Sequence, residues 1–179
     1  MATRWLGSAA GLIGAIRACM FPFMDTETRI RPATLAERDR LEALQRRAAF
    51  MWEEDRPALL AHPDAIDLPI EHIVAGYVHV AERQGVPVGF SVWLPRGDGD
   101  AELDGLFVEP AAWGAGVGRH LVRQAETVAL DAGSAVLWVV ANPRAAGFYA
   151  ACGFERVGEE QTRFGTGVTM RKRLAAGYG

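Results

Sequence analysis

Three runs of alternating apolar and polar residues follow one another in the middle of the chain. The first covers residues 77–82, and a Gln84-Gly85 turn leads from it to a second run over residues 86–94. A polar stretch separates the second run from a third over residues 101–109. Alternation with a period of two is typical of β-strands, and short polar connections join antiparallel neighbours. The pattern predicts three consecutive antiparallel strands.

The segment before these strands predicts an edge strand followed by a helix. Residues 28–31 form a short strand-like run that Pro32 ends, because proline lacks the N–H group that a sheet needs. Thr34 and Glu37 have the spacing of a capping box, which begins a helix. Apolar residues then recur at helical spacing as far as Met51, with charged residues between them.

The segment after the three strands predicts a helix between two parallel strands. Apolar residues recur at helical spacing over residues 119–132, and Gly133 is a typical helix end. Residues 135–141 form a continuous apolar run, as expected of a strand buried on both faces. Strand–helix–strand units are right-handed, so the two strands should be parallel.

The end of the chain predicts one more helix and two more strands. Pro143 suits the first turn of a helix, where its missing N–H costs little. Residues 154–157 and 164–174 are predicted as strands, with a turn at residues 159–162.

A glycine-rich turn lies between the third strand and the long helix. Gly114, Gly116 and Gly118 alternate with small residues there. Glycines let the backbone approach a ligand, and the unpaired N–H groups of a helix N-terminus attract phosphate. The spacing is not the G-x-G-x-x-G of dinucleotide-binding folds, because Arg119 and Leu121 fall where a third glycine is needed. No lysine follows the glycines, which excludes a P-loop. On this motif alone, a turn without a ligand is as good an interpretation as a phosphate cradle.

Composition narrows the class of function. The 179 residues are 50% hydrophobic and 23% charged, with a formal net charge of −3, which is typical of one globular domain without general affinity for nucleic acid or anionic membranes. Cys19 and Cys152 are far apart, so we expect a reducing, cytoplasmic compartment and no disulfide framework. The four histidines lack metal-ligand spacing, so we expect no metal.

The first 24 residues differ from the rest of the chain. Residues 5–16 are apolar, but this run is too short to span a membrane, and Arg17 interrupts a signal-peptide pattern. We interpret residues 1–24 as an N-terminal extension, either disordered or preceding a native start at Met24, and residues 25–179 as the functional domain. A membrane-associated protein anchored by the extension is the alternative.

Two motifs resemble those of the GNAT (GCN5-related) N-acetyltransferase family. Gly116 and Gly118 fit the family's pyrophosphate-binding pattern Q/R-x-x-G-x-G/A, although Trp113 stands where the family has Gln or Arg. Asn142 to Phe154 matches the family's second pattern, N-x-x-A-x-x-F-Y-x-x-x-G-F. The motifs come in the family's order and between the expected elements, and the resemblance covers about residues 28–174. The resemblance favours the phosphate-cradle interpretation of the glycines.

The resemblance implies a fold and a reaction. The fold is α/β and GNAT-like (the acyl-CoA N-acyltransferase fold), a mixed, mostly antiparallel sheet of six or seven strands flanked by helices. The reaction is direct transfer of an acetyl group from acetyl-CoA, as cosubstrate, to an amine. Neither cysteine lies at a position that the motifs mark, so no acyl-enzyme is implied.

The resemblance also assigns residues to the cofactor. The loop amides would hold the diphosphate, and the end of the third strand, where it splays from residues 139–141 of the next, would hold the pantetheine arm. The Val108 N–H would be the oxyanion donor, and the Asn142 amide would bind the arm. The residues assigned in this way are Leu106, Phe107, Val108, Gly114, Ala115, Gly116, Val117, Gly118, Arg119, Asn142 and Tyr149.

Catalysis needs an acid and a base. Tyr149 is predicted to protonate the departing CoA thiolate, because a phenol with its ordinary pKa of about 10 keeps its proton at neutral pH. Asp104 and Glu102 are the candidate bases, since strand alternation would put them on the same face as Leu106. The alternatives are a chain of waters and four other side chains, Glu71, His72, His79 and Glu109.

The sequence leaves the acceptor and one rival function open. Polyamine, aminoglycoside, amino acid, peptide N-terminus and protein lysine are all compatible with an amine acceptor. Residues 51–73 are acidic and proline-rich, which predicts one or two short helices; they wall the acceptor pocket in the resembled family and would suit a cationic amine. A non-catalytic acyl-CoA-binding sensor or partner domain is the alternative, which Trp113 and the lack of an obvious base support. An exposed final strand could pair two subunits as a homodimer.

Overall fold

A computed structural model describes residues 27–51, 56–61, 66–162 and 165–175. The predictions made for residues 1–24, including a start at Met24, lie outside these ranges. The strands are β1 (Arg29–Pro32), β2 (Val78–Arg83), β3 (Val86–Pro95), β4 (Ala101–Val108), β5 (Val136–Ala141), β6 (Glu155–Thr162) and β7 (Gly165–Arg173). The helices are α1 (Arg38–Ala49), α2 (Arg56–Ala61), α3 (Ile70–Val74), α4 (Val117–Asp131) and α5 (Ala146–Ala151). Short 3-10 turns at Leu35–Glu37, Pro110–Ala112 and Pro143–Ala145 precede three of the helices.

The strands form one mixed sheet in the order β1-β2-β3-β4-β5-β7-β6. Every neighbouring pair is antiparallel except β4 and β5, which are parallel and joined through α4. The parallel pair is the one that the strand–helix–strand pattern predicts, because a crossover helix must return the chain to the same end of the sheet. The predicted α/β architecture is confirmed.

Helices cover both faces of the sheet. The apolar stripe of α1, with Leu41 and Leu44, packs with Ile73 of α3 against Val80 and Phe90. On the other face, α4 and α5 pack against β4, β5 and β7, in a cluster of Leu103, Val122, Ala125, Leu137, Val139, Phe148, Tyr149 and Phe154. Burial of these side chains is the main force that fixes α4 and α5, which carry the two motifs, on one face of β4 and β5.

The end of the sheet differs from the prediction. Residues 159–162 were expected to form a turn, but β6 continues through them to Thr162 and pairs with β7 at Glu159–Val168 and Glu160–Gly167. The polar composition that suggested a turn belongs to an exposed edge strand, whose side chains mostly face water.

The described helices include none that is long and apolar enough to cross a membrane.

Candidate active site

The two parallel strands separate after a single short ladder. Ala101 pairs with Leu137 and Glu102 with Trp138, and the described strands form no further β4–β5 pair, although β4 continues to Val108 and β5 to Ala141. We call the opening between residues 103–108 and residues 139–141 the split. The last paired residues are Glu102 and Trp138, so no pairing sets residues 106–108 level with particular residues of β5. The expectation that residues 106–108 lie opposite residues 139–141 stays a prediction.

The backbone of β4 presents hydrogen-bonding groups to the split. The Glu109 N–H donates to the Val88 carbonyl of β3 at 2.9 Å. Successive peptide groups of a strand point to opposite sides, so the N–H groups of Val108 and Leu106 point away from β3 and toward the split. A linear ligand with amide groups could pair with this edge as an added strand does.

The glycine-rich turn owes its shape to left-handed residues. Gly114 has φ +77° and Gly116, which caps α4, has φ +82°. A side chain at either position would meet no atom within 4 Å, so glycine is required there by the backbone angle and not by crowding. The His120 N–H donates to the Gly116 carbonyl, while the amides of Val117, Gly118 and Arg119 precede this first helical bond and have no acceptor within the helix.

Two side chains fix the turn from outside α4. The indole Nε1 of Trp113 donates to the Val108 carbonyl at 2.8 Å, which ties the turn to the end of β4. The guanidinium of Arg83, at the end of β2, donates to the Ala115 carbonyl at 2.9 Å and to the Thr28 hydroxyl at 2.9 Å. Trp113 therefore holds the loop by its side chain where the resembled family has Gln or Arg. The role of Arg83 was missed, since no sequence pattern links a hairpin end to a loop thirty residues later.

The first turn of α4 contacts α5. A side chain on Gly118 would approach the Phe148 ring to 3.1 Å, so this glycine is needed for close packing of the two helices. The Arg119 guanidinium donates to the Ala151 carbonyl at 3.3 Å. The two motifs of the sequence thus meet directly at the start of α4. A substitution at Gly118 would disturb this helix contact before it reached any ligand at the amides.

Tyr149 lies inside the core beside the split. Its ring packs edge-on against Phe148 and Phe154, with centroids 5.1 and 5.6 Å away, and only 7% of the residue is exposed. Burial, with a smaller contribution from Cys152, raises the pKa of the phenol above its ordinary value. The hydroxyl consequently keeps its proton well into the alkaline range. Leu106 packs against the same cluster, which places Tyr149 and the edge of β4 in one neighbourhood.

A β-bulge in β4 leaves Asp104 without a partner residue in β3. Val92 of β3 pairs with Gly105 and Trp93 pairs with Leu103, so Asp104 is an extra residue in β4. A bulge reverses the alternation beyond it. Glu102 pairs with Leu94 on the α1 face, whereas Leu106 packs on the α4 face, so the expectation that they share a face was wrong.

The two candidate bases have different surroundings. The Asp104 carboxyl is exposed, yet the nearby protein removes enough water to raise its pKa, which His72 opposes electrostatically. Glu102 accepts from Arg96 at 3.2 Å. Of the alternatives, His79 is buried, and burial lowers its pKa, while Glu109 accepts from both Nε and Nη2 of Arg47. Asp104 is the carboxyl that combines a place at the split with a raised pKa.

The remaining assigned residues also lie around the split. Phe107 faces α1 and stacks near Phe90, with centroids 5.1 Å apart. Asn142 follows β5, and its Oδ1 accepts the Arg144 N–H at 3.0 Å, which caps the 3-10 turn before α5.

Comparison with known proteins identifies the arrangement. Residues 38–154, more than half of the chain, match the family model described as the Acetyltransferase (GNAT) family. No curated protein sequence matches the chain significantly.

Solved structures share the fold over most of the chain. A GCN5-related N-acetyltransferase from Rhodopseudomonas palustris is 26% identical with a TM-score of 0.68, covering 86% of this chain and 99% of that one. PaiA N-acetyltransferase from Thermoplasma acidophilum, solved with coenzyme A, is 19% identical with a TM-score of 0.68, covering 82% and 99%. YncA, a putative acetyltransferase from Salmonella typhimurium solved with acetyl-CoA, is 22% identical with a TM-score of 0.61, covering 86% and 97%. The sheet with its split, the glycine turn and the family match lead to one conclusion: the chain belongs to the GNAT acetyltransferase family.

Proposed function

We propose that the protein transfers the acetyl group of acetyl-CoA directly to an amine. The observation that carries the proposal is the split, because its unpaired β4 edge leads straight to the free amides at the start of α4. A ligand with a diphosphate at one end and an amide-bearing arm at the other matches both features. Neighbours solved with coenzyme A or acetyl-CoA support the same ligand.

The cofactor would be held mainly by backbone groups. The Ala115 N–H donates to the Ala112 carbonyl at 3.4 Å, and the other amides of residues 114–119 take the diphosphate, helped by the positive end of the α4 dipole. The N–H groups of Leu106 and Val108 take the arm and the thioester carbonyl, and the amide of Asn142 contacts the arm from across the split. Residues 25–179 form the acetyltransferase domain in this proposal.

The proposed reaction passes through a tetrahedral intermediate and forms no acyl-enzyme. Asp104 takes a proton from the ammonium of the acceptor, and the freed amine nitrogen forms a bond to the thioester carbonyl carbon. The Val108 N–H stabilises the oxyanion of the tetrahedral intermediate. The carbon–sulfur bond then breaks, and the hydroxyl of Tyr149 gives its proton to the CoA thiolate. The attacking nitrogen carries one proton more than an amide and releases it to solvent as the intermediate collapses. Solvent also returns the proton from Asp104 to Tyr149.

The alternative is a non-catalytic acyl-CoA sensor on the same fold. The packing of Tyr149 supports it, because two rings enclose the phenol as they would a purely structural aromatic residue. Both functions predict cofactor binding, so turnover is the property that separates them.

Calorimetric titration with acetyl-CoA tests the shared part of the proposal. We expect saturable binding of one acetyl-CoA per chain. A titration without saturable heat, together with an unchanged melting temperature, would contradict both functions.

The pH dependence of kcat/KM tests the role of Asp104. A base must be ionised to act, and the pKa of Asp104 is raised, so the rate should fall with decreasing pH at a higher pH than an ordinary carboxyl of pKa about 3.9 allows. Asp104→Asn should lower kcat/KM about 10²–10⁴-fold and remove this acid limb. Asp131→Asn, an exposed carboxyl at the end of α4, is the matched control and should leave the profile unchanged. Equal profiles for the two variants would show that Asp104 is not the base.

The same pKa shift has a consequence for stability. Because the folded state holds the Asp104 proton more tightly than the unfolded state does, the charged carboxyl destabilises the fold above the unfolded pKa. Asp104→Asn should therefore raise the melting temperature at neutral pH and leave it unchanged in strong acid.

A further inference from the structure

A cavity of about 420 Å³ lies beside the residues that lead into the glycine turn, and none of its lining residues belongs to the split. The stripe Arg40, Leu44 and Arg47 of α1 forms one wall, and the first residues of β3 form the other. Arg83 and the segment after β4 complete the lining, so that the full set is Arg40, Leu44, Arg47, Arg83, Val86, Pro87, Val88, Glu109, Ala111 and Ala112. The acetyl-transfer site does not use this space, which we call the arginine cavity.

Positive charge exceeds negative charge in the arginine cavity. Three arginines face one carboxylate, that of Glu109, and Arg47 pairs with it through Nε at 3.1 and 3.2 Å. Arg83 donates to neutral oxygens, the Thr28 hydroxyl and the Ala115 carbonyl. Arg40 forms no ion pair with the described residues. A second cavity of about 440 Å³, lined by Glu27, Arg29, Glu82, Gln84 and Gly85, has no such excess.

The charged groups stand above an apolar floor. Leu44 is 1% exposed, and Pro87, Val88 and the two alanines add further apolar surface. The guanidinium fork matches the two oxygens of a carboxylate, and burial of aliphatic carbon on the floor adds affinity. Cavities of this size hold small organic ligands. We propose that the arginine cavity binds a small aliphatic carboxylate that acts as an effector.

The lining connects the arginine cavity with the cofactor loop. Arg83 holds the Ala115 carbonyl, and the Arg47–Glu109 pair holds the residue that precedes the turn. A carboxylate ligand competes for Arg83 and so loosens its bond to Ala115. Effector and acetyl-CoA consequently weaken each other's binding by the same factor. This coupling rests on the proposed acetyl-CoA site, whereas binding of the carboxylate does not.

Titration of the full chain with octanoate, followed by amide chemical shifts, tests the binding. We expect saturable shifts confined to the cavity residues and to the turn at residues 113–116. Arg40→Gln should raise the dissociation constant of octanoate at least tenfold. Arg46→Gln, an exposed arginine of the same helix outside the cavity lining, is the matched control and should leave it unchanged. Octanol and inorganic phosphate should produce no saturable shifts. Equal octanoate affinity in the two variants, or equal binding of octanol, would overturn the proposal.

Titrations with CoA and dephospho-CoA distinguish a carboxylate from the 3′-phosphate of CoA as the ligand of the arginine cavity. If Arg40→Gln weakens CoA but not dephospho-CoA, the cavity holds the 3′-phosphate of the cofactor and the proposal is overturned. Saturating octanoate should raise the dissociation constant of acetyl-CoA at least threefold, and an unchanged constant would refute the effector role. If the protein binds octanoate but no acetyl-CoA, the proposed function is refuted, whereas the carboxylate-binding site is supported.

Discussion

Different interactions hold the glycine turn and the second motif, Asn142 to Phe154, in place. The glycine turn is exposed at Gly114, Ala115 and Gly116, and its shape depends on left-handed backbone angles and on hydrogen bonds from Trp113 and Arg83. The second motif is packed inside the core, where Phe148, Tyr149 and Phe154 form a row of edge-to-face rings. The turn thus contributes little to the core, and its role in the proposal is to bind the cofactor. The second motif is a core element that borders the split. Substitutions in the two segments should separate binding from stability.

The largest effect is expected at Phe154, in the core segment. The side chain is 4% exposed, and Phe154→Ala removes its contacts with Tyr149 and leaves a cavity. The free energy of unfolding should fall by about 3–5 kcal/mol, as measured by urea denaturation. Val157→Ala, on the exposed strand β6, is the control and should change it by less than about 0.5 kcal/mol. Similar losses in both variants would mean that the ring row is not a core element.

Substitution of Tyr149 tests whether a residue of the core also acts in catalysis. Tyr149→Phe keeps the ring and removes the hydroxyl, so turnover should fall about 100-fold or more while acetyl-CoA affinity and the melting temperature change little. The raised pKa also predicts that the activity of the native enzyme shows no alkaline limb from Tyr149 up to its ordinary pKa of about 10. Unchanged turnover with a lowered melting temperature would assign Tyr149 to the core alone.

A smaller effect is expected at Gly116, in the turn. Gly116→Val forces a β-branched residue to φ +82°, which costs about 1–2 kcal/mol, although no atom crowds the new side chain. We expect acetyl-CoA affinity to fall about tenfold in calorimetry, with a cooperative unfolding transition preserved. Gly97→Val, at an equally open glycine without a left-handed angle, should leave affinity unchanged. Unaltered affinity in Gly116→Val would show that the shape of the turn does not govern binding.

The smallest effect is expected at Trp113. Trp113→Phe removes the hydrogen bond to the Val108 carbonyl, whose net contribution is about 0.5–1.5 kcal/mol. Acetyl-CoA affinity should fall a few-fold, measured by the same calorimetry. Trp113→Gln, which introduces a residue of the family pattern with its own donor, should recover part of the loss. If Trp113→Phe binds acetyl-CoA with full affinity, the hydrogen bond from the indole has no role in cofactor binding.

Local features of the site could be predicted from the sequence. The glycine turn, the helix after it and the parallel strand pair follow from spacing and periodicity. The helix starts two residues before its predicted range of 119–132, at Val117, and ends one residue before it, at Asp131. Each depends on interactions between residues close in the chain. The contact between the two motifs could be expected from the family resemblance, although the packing of Gly118 against Phe148 could not.

Features that depend on register could not be predicted. The bulge at Asp104 exists because β3 and β4 pair on both sides of one extra residue, and alternation within β4 alone gave the wrong face for Glu102. The point at which β4 and β5 separate, after Glu102 and Trp138, likewise depends on pairing between strands that are distant in the chain. A one-residue change in pairing moves every later side chain to the other face, so these features require the sheet.

Acetyl transfer at the split, and not cofactor binding alone, is the function that we propose for this protein. It is tested most directly by incubating the protein with acetyl-CoA and a panel of polyamines, aminoglycosides, amino acids, peptides and lysine-bearing proteins, with detection of free CoA thiol. We expect thiol release that requires both the protein and a particular amine, and that falls at least 100-fold in Tyr149→Phe. Saturable acetyl-CoA binding without amine-dependent thiol release across the whole panel would contradict the claim and favour the sensor.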